Sequence, residues 1–389
     1  MLVAHLSDTH LGHSQFNLEE REEDVYNAFA QAIDISIKEG VKAVILAGDI
    51  FHMPKPEGGA IVKFGDQLKK LKERDIRVFF VLGEHDISRV RGVPVLFAFH
   101  NLGFATYMGN GKPHEFNNTL FMGFDKFRAS ETEDLLLKLK EADEQAKKFT
   151  GHKILVLHQG LLEFNRYAGE ISSNDLPANF TYYAMGHYHD RYEEKFDRLG
   201  GPLAYPGSIE TTSSEGIKET EKGFYIVDLS AKEPKTHWHK LDVRPQIGII
   251  AKYDELSAKL DELTRKVSTF PKKPVVHVKV SGKDIDSKNI AAMLSRLANI
   301  VLHYRWDIID ESLSYTVLGE RPGDIDTELF ELAKKELGNE ELARFAIKEL
   351  LPLLESGNTD EAFSMIWQNY ERSVKLLTGD GVVRETSIG

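Results

Sequence analysis

Apolar runs that stop abruptly on polar residues recur through the first half of the chain. Leu2 to Leu6 leads into Asp8-Thr9-His10, and Val41 to Ala47 into Gly48-Asp49. Val78 to Leu82 leads into Gly83-Glu84-His85-Asp86, and Ile154 to Leu157 into His158-Gln159-Gly160. Tyr182 to Met185 leads into Gly186-His187-Tyr188-His189. Runs of this length flanked by glycine predict buried strands, here at 2–7, 41–47, 76–82, 119–124, 153–157 and 182–186, with a β-rich stretch over 203–242. Helical spacing predicts a helix over 19–39, with Val25, Ala28, Phe29, Ala32 and Ile33 on one face. Further helices are predicted at 60–74, 94–102 and 131–149. The pattern is that of an α/β fold whose strands bring their carboxyl ends to one sheet edge, where open α/β sheets place ligands.

Past Pro245 the pattern changes. A helix from Tyr253 to Val267, a strand from Val275 to Val280, a helix through Ile290, Leu294 and Leu297, and a strand from His303 to Ile309 predict a small αβαβ unit. After Gly319 to Gly323 the pattern is helical: Phe345 to Leu354, a break at Gly357-Asn358, then Phe363, Ile366, Trp367, Tyr370, Val374 and Leu377. Two short amphipathic helices have too little core of their own and must dock, either on this chain or on a partner. The predicted division is therefore 1–245, 246–320, a linker at 321–338, and a helical segment at 339–389.

Composition narrows the chemistry. The absence of cysteine excludes disulfides and thiolate metal sites and fits the cytoplasm. No apolar run is long enough to span a bilayer, and no signal peptide is read. A net charge of −12 argues against a surface that grips nucleic acid everywhere but leaves room for a local basic patch, with Lys55, Arg89 and Arg91 as candidates for phosphate contact.

The strand-end residues offer carboxylate oxygen and imidazole nitrogen without sulfur, a set that suits Mn, Fe or Zn. Asp8, His10 and His189 are expected to hold one ion, and Glu84, His158 and His187 a second, with Asp49 bridging. Two ions about 3.5–4 Å apart would acidify a shared water for in-line attack on phosphorus. His85 is then placed to stabilise or protonate the departing oxygen, and His52 to steady the phosphate. Asp86 is read as a turn cap or as a residue that orients His85.

The order Asp-x-His, Gly-Asp, Gly-Glu-His-Asp, His, Gly-His-x-His resembles the signature of the calcineurin-like metallophosphoesterases. More narrowly, "HLSDTHLG" at 5–12, "REED" at 21–24, "AGDIFH" at 47–52, "LHQG" at 157–160, "YYAMGHYHDRYE" at 182–193, "YPGSIE" at 205–210 and "KGFYIVD" at 222–228 resemble the archaeal meiotic-recombination-eleven nucleases and their bacterial SbcD-like relatives. The resemblance implies a two-sheet sandwich flanked by helices, a DNA-facing α/β capping domain at 246–320, and C-terminal helices. It implies a DNA double-strand-break repair nuclease with two Mn ions per subunit, Mg, Fe or Zn being alternatives. The implied activities are 3′-to-5′ exonuclease on duplex ends and endonuclease on single strands. It also implies a cytoplasmic, nucleoid-associated homodimer joined near Ile61, Phe64, Leu96 and Phe97, and a coiled-coil ABC-type (radiation-sensitive-fifty) ATPase bound at 339–389. The family usually carries Asn at the position of Glu84, and a charged carboxylate there would lower the Lewis acidity of its ion. The competing readings are a phosphomonoesterase or small phosphodiesterase using the same residues, and a noncatalytic scaffold for the ATPase weakened by Glu84.

Overall fold

The computed structural model describes residues 1–88, 92–166, 168–212, 217, 220–283, 285–310, 325–355 and 365–366. The chain divides into two units, one of Met1–Phe164 with Glu170–Tyr315 and one of Asn165–Gly169 with Thr316–Gly389.

The first unit holds two six-stranded sheets. One has the order β12 (Lys235–Lys240), β11 (Gly223–Asp228), β1 (Leu2–Leu6), β2 (Ala43–Ala47), β3 (Arg77–Val81), β4 (Thr106–Tyr107). The other runs β5 (His114–Phe116), β6 (Thr119–Phe124), β7 (His152–His158), β8 (Tyr182–Gly186), β10 (Leu203–Tyr205), β9 (Tyr192–Glu194). Alternation along each strand decides which layer a side chain joins. Ala43, Ile45 and Ala47 of β2 meet Ile154 and Val156 of β7 and Tyr182 and Ala184 of β8 between the sheets. Val44 and Leu46 face outward, under α1 (Glu19–Lys38) and α2 (Gly58–Lys72). The expected face of α1 is the buried one. A short α3 (Leu96–Asn101) joins the same layer, and α4 (Thr132–Lys147) carries buried Leu135, Leu139, Ala142 and Ala146.

β1, β2 and β3 are parallel neighbours, as are β6, β7 and β8. Their carboxyl ends therefore lie along two sheet edges, in the two-sheet arrangement that the resemblance implies, and not along the single edge read from the apolar pattern alone. The apolar pattern marks strands as buried but does not assign them to sheets.

A third sheet packs its own core within this unit. β13 (Gln246–Lys252), β14 (Val275–Gly282) and β15 (His303–Asp310) run parallel, with α5 (Leu256–Val267) and α6 (Ser287–Leu294) over one face. The unit is βαβαβ and not αβαβ as expected. β13 lacks the buried-strand signature because Gly248 interrupts it and Ile250 stays 69% exposed. The second unit carries α7 (Ile325–Leu337), α8 (Glu340–Phe345) and α9 (Leu351–Glu355), with a π-helical stretch at Ala346–Leu350. The expected linker at 321–338 thus contains a 13-residue helix. Its Leu-Phe-Glu-Leu-Ala-Lys-Lys-Glu-Leu run has helical spacing that was passed over. Gly319 to Gly323, Gly357, Asn358, Phe363, Trp367, Tyr370, Val374 and Leu377 lie outside the described residues. No helix among the described residues is long and apolar enough to cross a membrane.

His5 ties the two sheets together. It sits on β1 at 0% exposure. Its Nε2–H donates to the Met185 carbonyl at 3.1 Å, and its Nδ1 accepts from the Tyr182 hydroxyl at 2.9 Å. Burial lowers its pKa to about 3, against the Met185 carbonyl, which raises it. The unfolded chain therefore takes up this proton first, near the ordinary value of 6.5. Stability from this site is complete above that pH and falls as pH drops toward 3. Between pH 6.5 and 5 the wild type should lose on the order of 2 kcal/mol more than His5→Gln, which has no proton to gain. Urea unfolding of both proteins across that range measures it; parallel curves would remove His5 as the source.

Candidate metal centre

The site forms where the carboxyl ends of both sheets meet, and the backbone there is contorted. Asp8, His10, Asp49 and His187 have φ of 50, 42, 49 and 100°. Non-glycine residues avoid this region, and strain of this kind persists only where surrounding contacts enforce it. The contacts are visible. Asp8 accepts from the His187 amide at 3.1 and 3.2 Å, and Asp49 from the His85 amide at 2.9 Å. Two glycines make room for the approach. A Cβ on Gly83 would lie 2.1 Å from Asp49 Oδ1, and one on Gly48, at φ +87°, would lie 2.3 Å from His158 Nδ1.

Among the described residues the ligand-type atoms gather into four groups, each able to offer three donor atoms within 4.8 Å of one another. Asp8, His10 and His189 form one, Glu84, His158 and His187 a second, and His10, His52 and His85 the fourth. Asp49 lies between the first two: its Oδ2 is 3.5 Å from His158 Nε2 and 3.9 Å from His10 Nε2. Asp8, Asp49 and His158 make a third such group, which joins the two pockets. The seven residues expected as ligands thus lie close together, with His52 and His85 beside them.

His10 has the state that a cation needs. Burial, and then His189, His85, His52 and His13, lower the His10 pKa well below its usual value, so its imidazole is neutral. His158 donates through Nδ1–H to the Ala47 carbonyl at 2.7 Å, which aims Nε2 inward. His189 Nδ1 is held by Thr212 Oγ1 at 3.0 Å, and its Nε2 faces His10 Nε2 at 3.0 Å. His158 Nε2 and His187 Nδ1 lie 2.9 Å from the two Glu84 oxygens. Imidazole nitrogens and carboxylate oxygens converging in this way are the donor set of a divalent ion.

Negative charge dominates the floor. Burial raises the Asp8 pKa, opposed by His158 and His189. Glu84 is held well below the usual range: burial works against this, but His187, His158 and Lys126 outweigh it. His158 is likewise held above its usual value by Asp49 and Glu84, despite burial. An ion would replace these imidazole and ammonium partners as the counter-charge.

His85 and His52 line the mouth. His85 is 40% exposed; its Nδ1–H donates to the His52 carbonyl at 2.8 Å, and its Nε2 lies 4.0 Å from Asp49 Oδ2. The His52 ring stacks on it at 5.3 Å. Burial, then His85, lowers the His52 pKa.

Other expectations fare differently. Lys55 is exposed and belongs to neither ligand group, and Arg89 and Arg91 lie outside the described residues. Phe64 and Leu96 are 1% exposed and belong to the core under α1, so neither is available as an exposed interface residue; Ile61 and Phe97 are half-buried. The large apolar side chains exposed in this region are Met53, Val62, Val93 and Leu102. Helical spacing gave the face of α2 but not the neighbour, α3, that covers it, with Phe64 and Phe99 4.9 Å apart.

Sequence reasoning missed the supports. Asp86 does more than cap a turn: it accepts from the amides of Ile50, Phe51 and Gly83 at 3.0–3.2 Å, fastening the loop after β2 to the loop after β3. Burial and then Asp49 push its carboxyl up to about 7 against those three amides. Glu170 takes the Gly160 amide at 2.7 Å and the Lys126 ammonium, 3.8 Å from His187 Nε2. Nothing in the local sequence marks Glu170. Thr212 stands just beyond the "YPGSIE" run, which offered the only signal.

Comparison with known proteins follows the same lines. Residues 1–191 match the calcineurin-like phosphoesterase family. The chain is 31% identical to the DNA double-strand break repair protein Mre11 of Sulfolobus acidocaldarius, over 78% of this chain and 81% of that protein. It is 32% identical to the protein of the same description from Sulfurisphaera tokodaii, over 78% and 79%. For that of Saccharolobus solfataricus the identity is 30%, over 97% and 98%.

Asp86→Ala would strand three buried amides. In chelator, where ion binding cannot contribute, it should lower unfolding stability by about 3 kcal/mol or more. A urea midpoint within error of wild type would show that water replaces the carboxylate.

Proposed function

The chain belongs to the Mre11 family of DNA double-strand break repair proteins and is a metal-dependent phosphodiesterase of the calcineurin-like class, and on that footing we propose that it is a Mn-dependent nuclease of two activities. These are 3′-to-5′ removal of nucleotides from duplex ends and endonucleolytic cutting of single strands. The observation that carries the reading is the convergence of Asp8, His10, Asp49, Glu84, His158, His187 and His189 at one crevice. In this reading 1–245 is the nuclease domain and 246–320 a capping domain that faces DNA.

Asp8, His10 and His189 would hold one ion and Glu84, His158 and His187 the other, with Asp49 shared. Bound there, the ions would supply an acidified water and neutralise phosphate charge. The chain's own residues do the rest. The His52 carbonyl fixes the His85 tautomer, so Nε2 is the atom that exchanges protons with the departing oxygen. His52, stacked behind it, limits the rotation of that ring and offers a second imidazole to the phosphate. The contrast in exposure suits these roles: His158 and Asp49 are sealed at 0% and 2%, whereas His85 stands open to substrate at 40%. The protein is further proposed to work as a homodimer at the cell's DNA and to bind the coiled-coil ATPase through 339–389, by resemblance to its family.

Digestion of a 3′-end duplex with Mn, Mg or chelator tests this. We expect Mn-dependent cleavage by the protein as it stands, and a loss of about 100-fold or more in His85→Ser with Mn binding kept. Cleavage that appears only in Glu84→Asn would mean that Glu84 has weakened the centre. No cleavage by either protein would favour the scaffold reading, and an active His85→Ser would take His85 out of the reaction.

A further inference from the structure

Arg21 is 1% exposed, among the largest fully buried side chains, and touches no residue of either ion pocket by a hydrogen bond. Its guanidinium reaches four acceptors on three segments. Nε donates to Gln15 Oε1 at 2.9 Å, on the loop that carries His10. Nη2 donates to Glu210 Oε1 at 3.0 Å and to the Thr211 carbonyl at 3.2 Å, immediately before Thr212, whose Oγ1 holds His189. Nη1 donates to Asp24 Oδ2 at 2.7 Å, on its own helix. One planar fork therefore fastens the loop that carries His10 to the segment whose Thr212 holds His189, and His10 Nε2 and His189 Nε2 lie 3.0 Å apart.

Two of those acceptors are shared with the three-stranded unit. Arg244, two residues before β13, reaches Asp24 at 2.5 and 3.1 Å, and its Nη1 donates to the Lys273 carbonyl at 2.7 Å. Gln246, the first residue of β13, donates to Gln15 Oε1 at 3.0 Å. The polar contacts of this unit with α1 and the His10 loop thus run through the same two side chains that orient Arg21. The Glu84–His158–His187 pocket is held otherwise: His158 by the Ala47 carbonyl, the Glu84 turn by Asp86, and His187 beside Glu170.

We propose that Arg21 is a positioning residue for the Asp8–His10–His189 pocket, and that Asp24 and Gln15, shared with Arg244 and Gln246, make that pocket's cation affinity depend on where the three-stranded unit sits, while the Glu84–His158–His187 pocket stays indifferent. This rests on the two-ion reading given above. A displaced β13 would release Asp24 and Gln15, reorient the fork, and loosen Thr212 from His189. Residues that orient metal ligands change affinity by about 10–100-fold when altered. The effect here should fall on one ion of two.

The test is titration of the full-length protein with MnCl2, by calorimetry and by the paramagnetic resonance signal of an ion pair. Wild type should bind two ions. Arg244→Gln should weaken one ion about tenfold or more, leave the other within twofold, and turn the pair signal into that of a single ion at limiting Mn. Arg244→Lys, which keeps the charge without the fork, should fall between. Gln246→Ala releases Gln15 without touching a charge and should act in the same direction, so the inference remains testable if Arg244→Gln folds poorly. Equal weakening of both ions, or no change in either variant, would overturn it. A wild type that binds no Mn would overturn the two-ion reading itself and this inference with it.

Discussion

Three aspartates, Asp8, Asp49 and Asp86, are each no more than 3% exposed and share one crevice with Glu84. Carboxylates in such a place are tolerable only if other groups supply the charge and hydrogen bonds that water would have given. Everything around them answers that demand. Asp86 is satisfied by three amides, Asp8 by the His187 amide, and Asp49 by the His85 amide. Around these contacts Asp8, His10, Asp49 and His187 take positive φ, and surrounding contacts of this kind are what lets such backbone persist.

The same demand sets the division of labour. What amides cannot neutralise is left to imidazoles and to a cation: against burial, Asp49 and Glu84 hold His158 above its usual value, a charge that a divalent ion would replace. The sandwich gives them a rigid base, because the strand ends are locked by the apolar layer between the sheets. His85 departs from this arrangement by standing open to solvent, and a proton-transfer group needs that access. Behind the ligands the polar supports differ: a turn fastened by Asp86 for one pocket, and a buried ionic network through Arg21 for the other. The network extends to β13, so the two pockets are mechanically unequal although their ligand sets look alike.

Much of this could be read from residue order. The buried face of α1, and the exact bounds of β6 and β8, follow from periodicity that tertiary packing did not override. So do the seven ligand-type residues, because each ends an apolar run and chemistry limits what such a set can bind. Packing across the chain was not legible. Phe64 and Leu96 looked like spare apolar surface until α3 closed over α2. β13 escaped notice because an edge strand with Gly248 and an exposed Ile250 lacks the alternation that one buried face imposes.

The sequence by itself determined which side chains end the strands, hence the donor chemistry, the likeness to metallophosphoesterases, and the absence of thiolate sites. These are local properties, set by residue type and by short-range spacing. Only the tertiary structure decided that Asp49 lies between both pockets, that Asp86 and Thr212 are their supports, and that Arg21 joins residues 15, 24, 210 and 211. Those contacts span up to 190 positions. No periodicity in the sequence encodes them, because they arise where elements remote in the chain are driven together to bury apolar surface, and buried charges then pair with whatever that packing brings within reach.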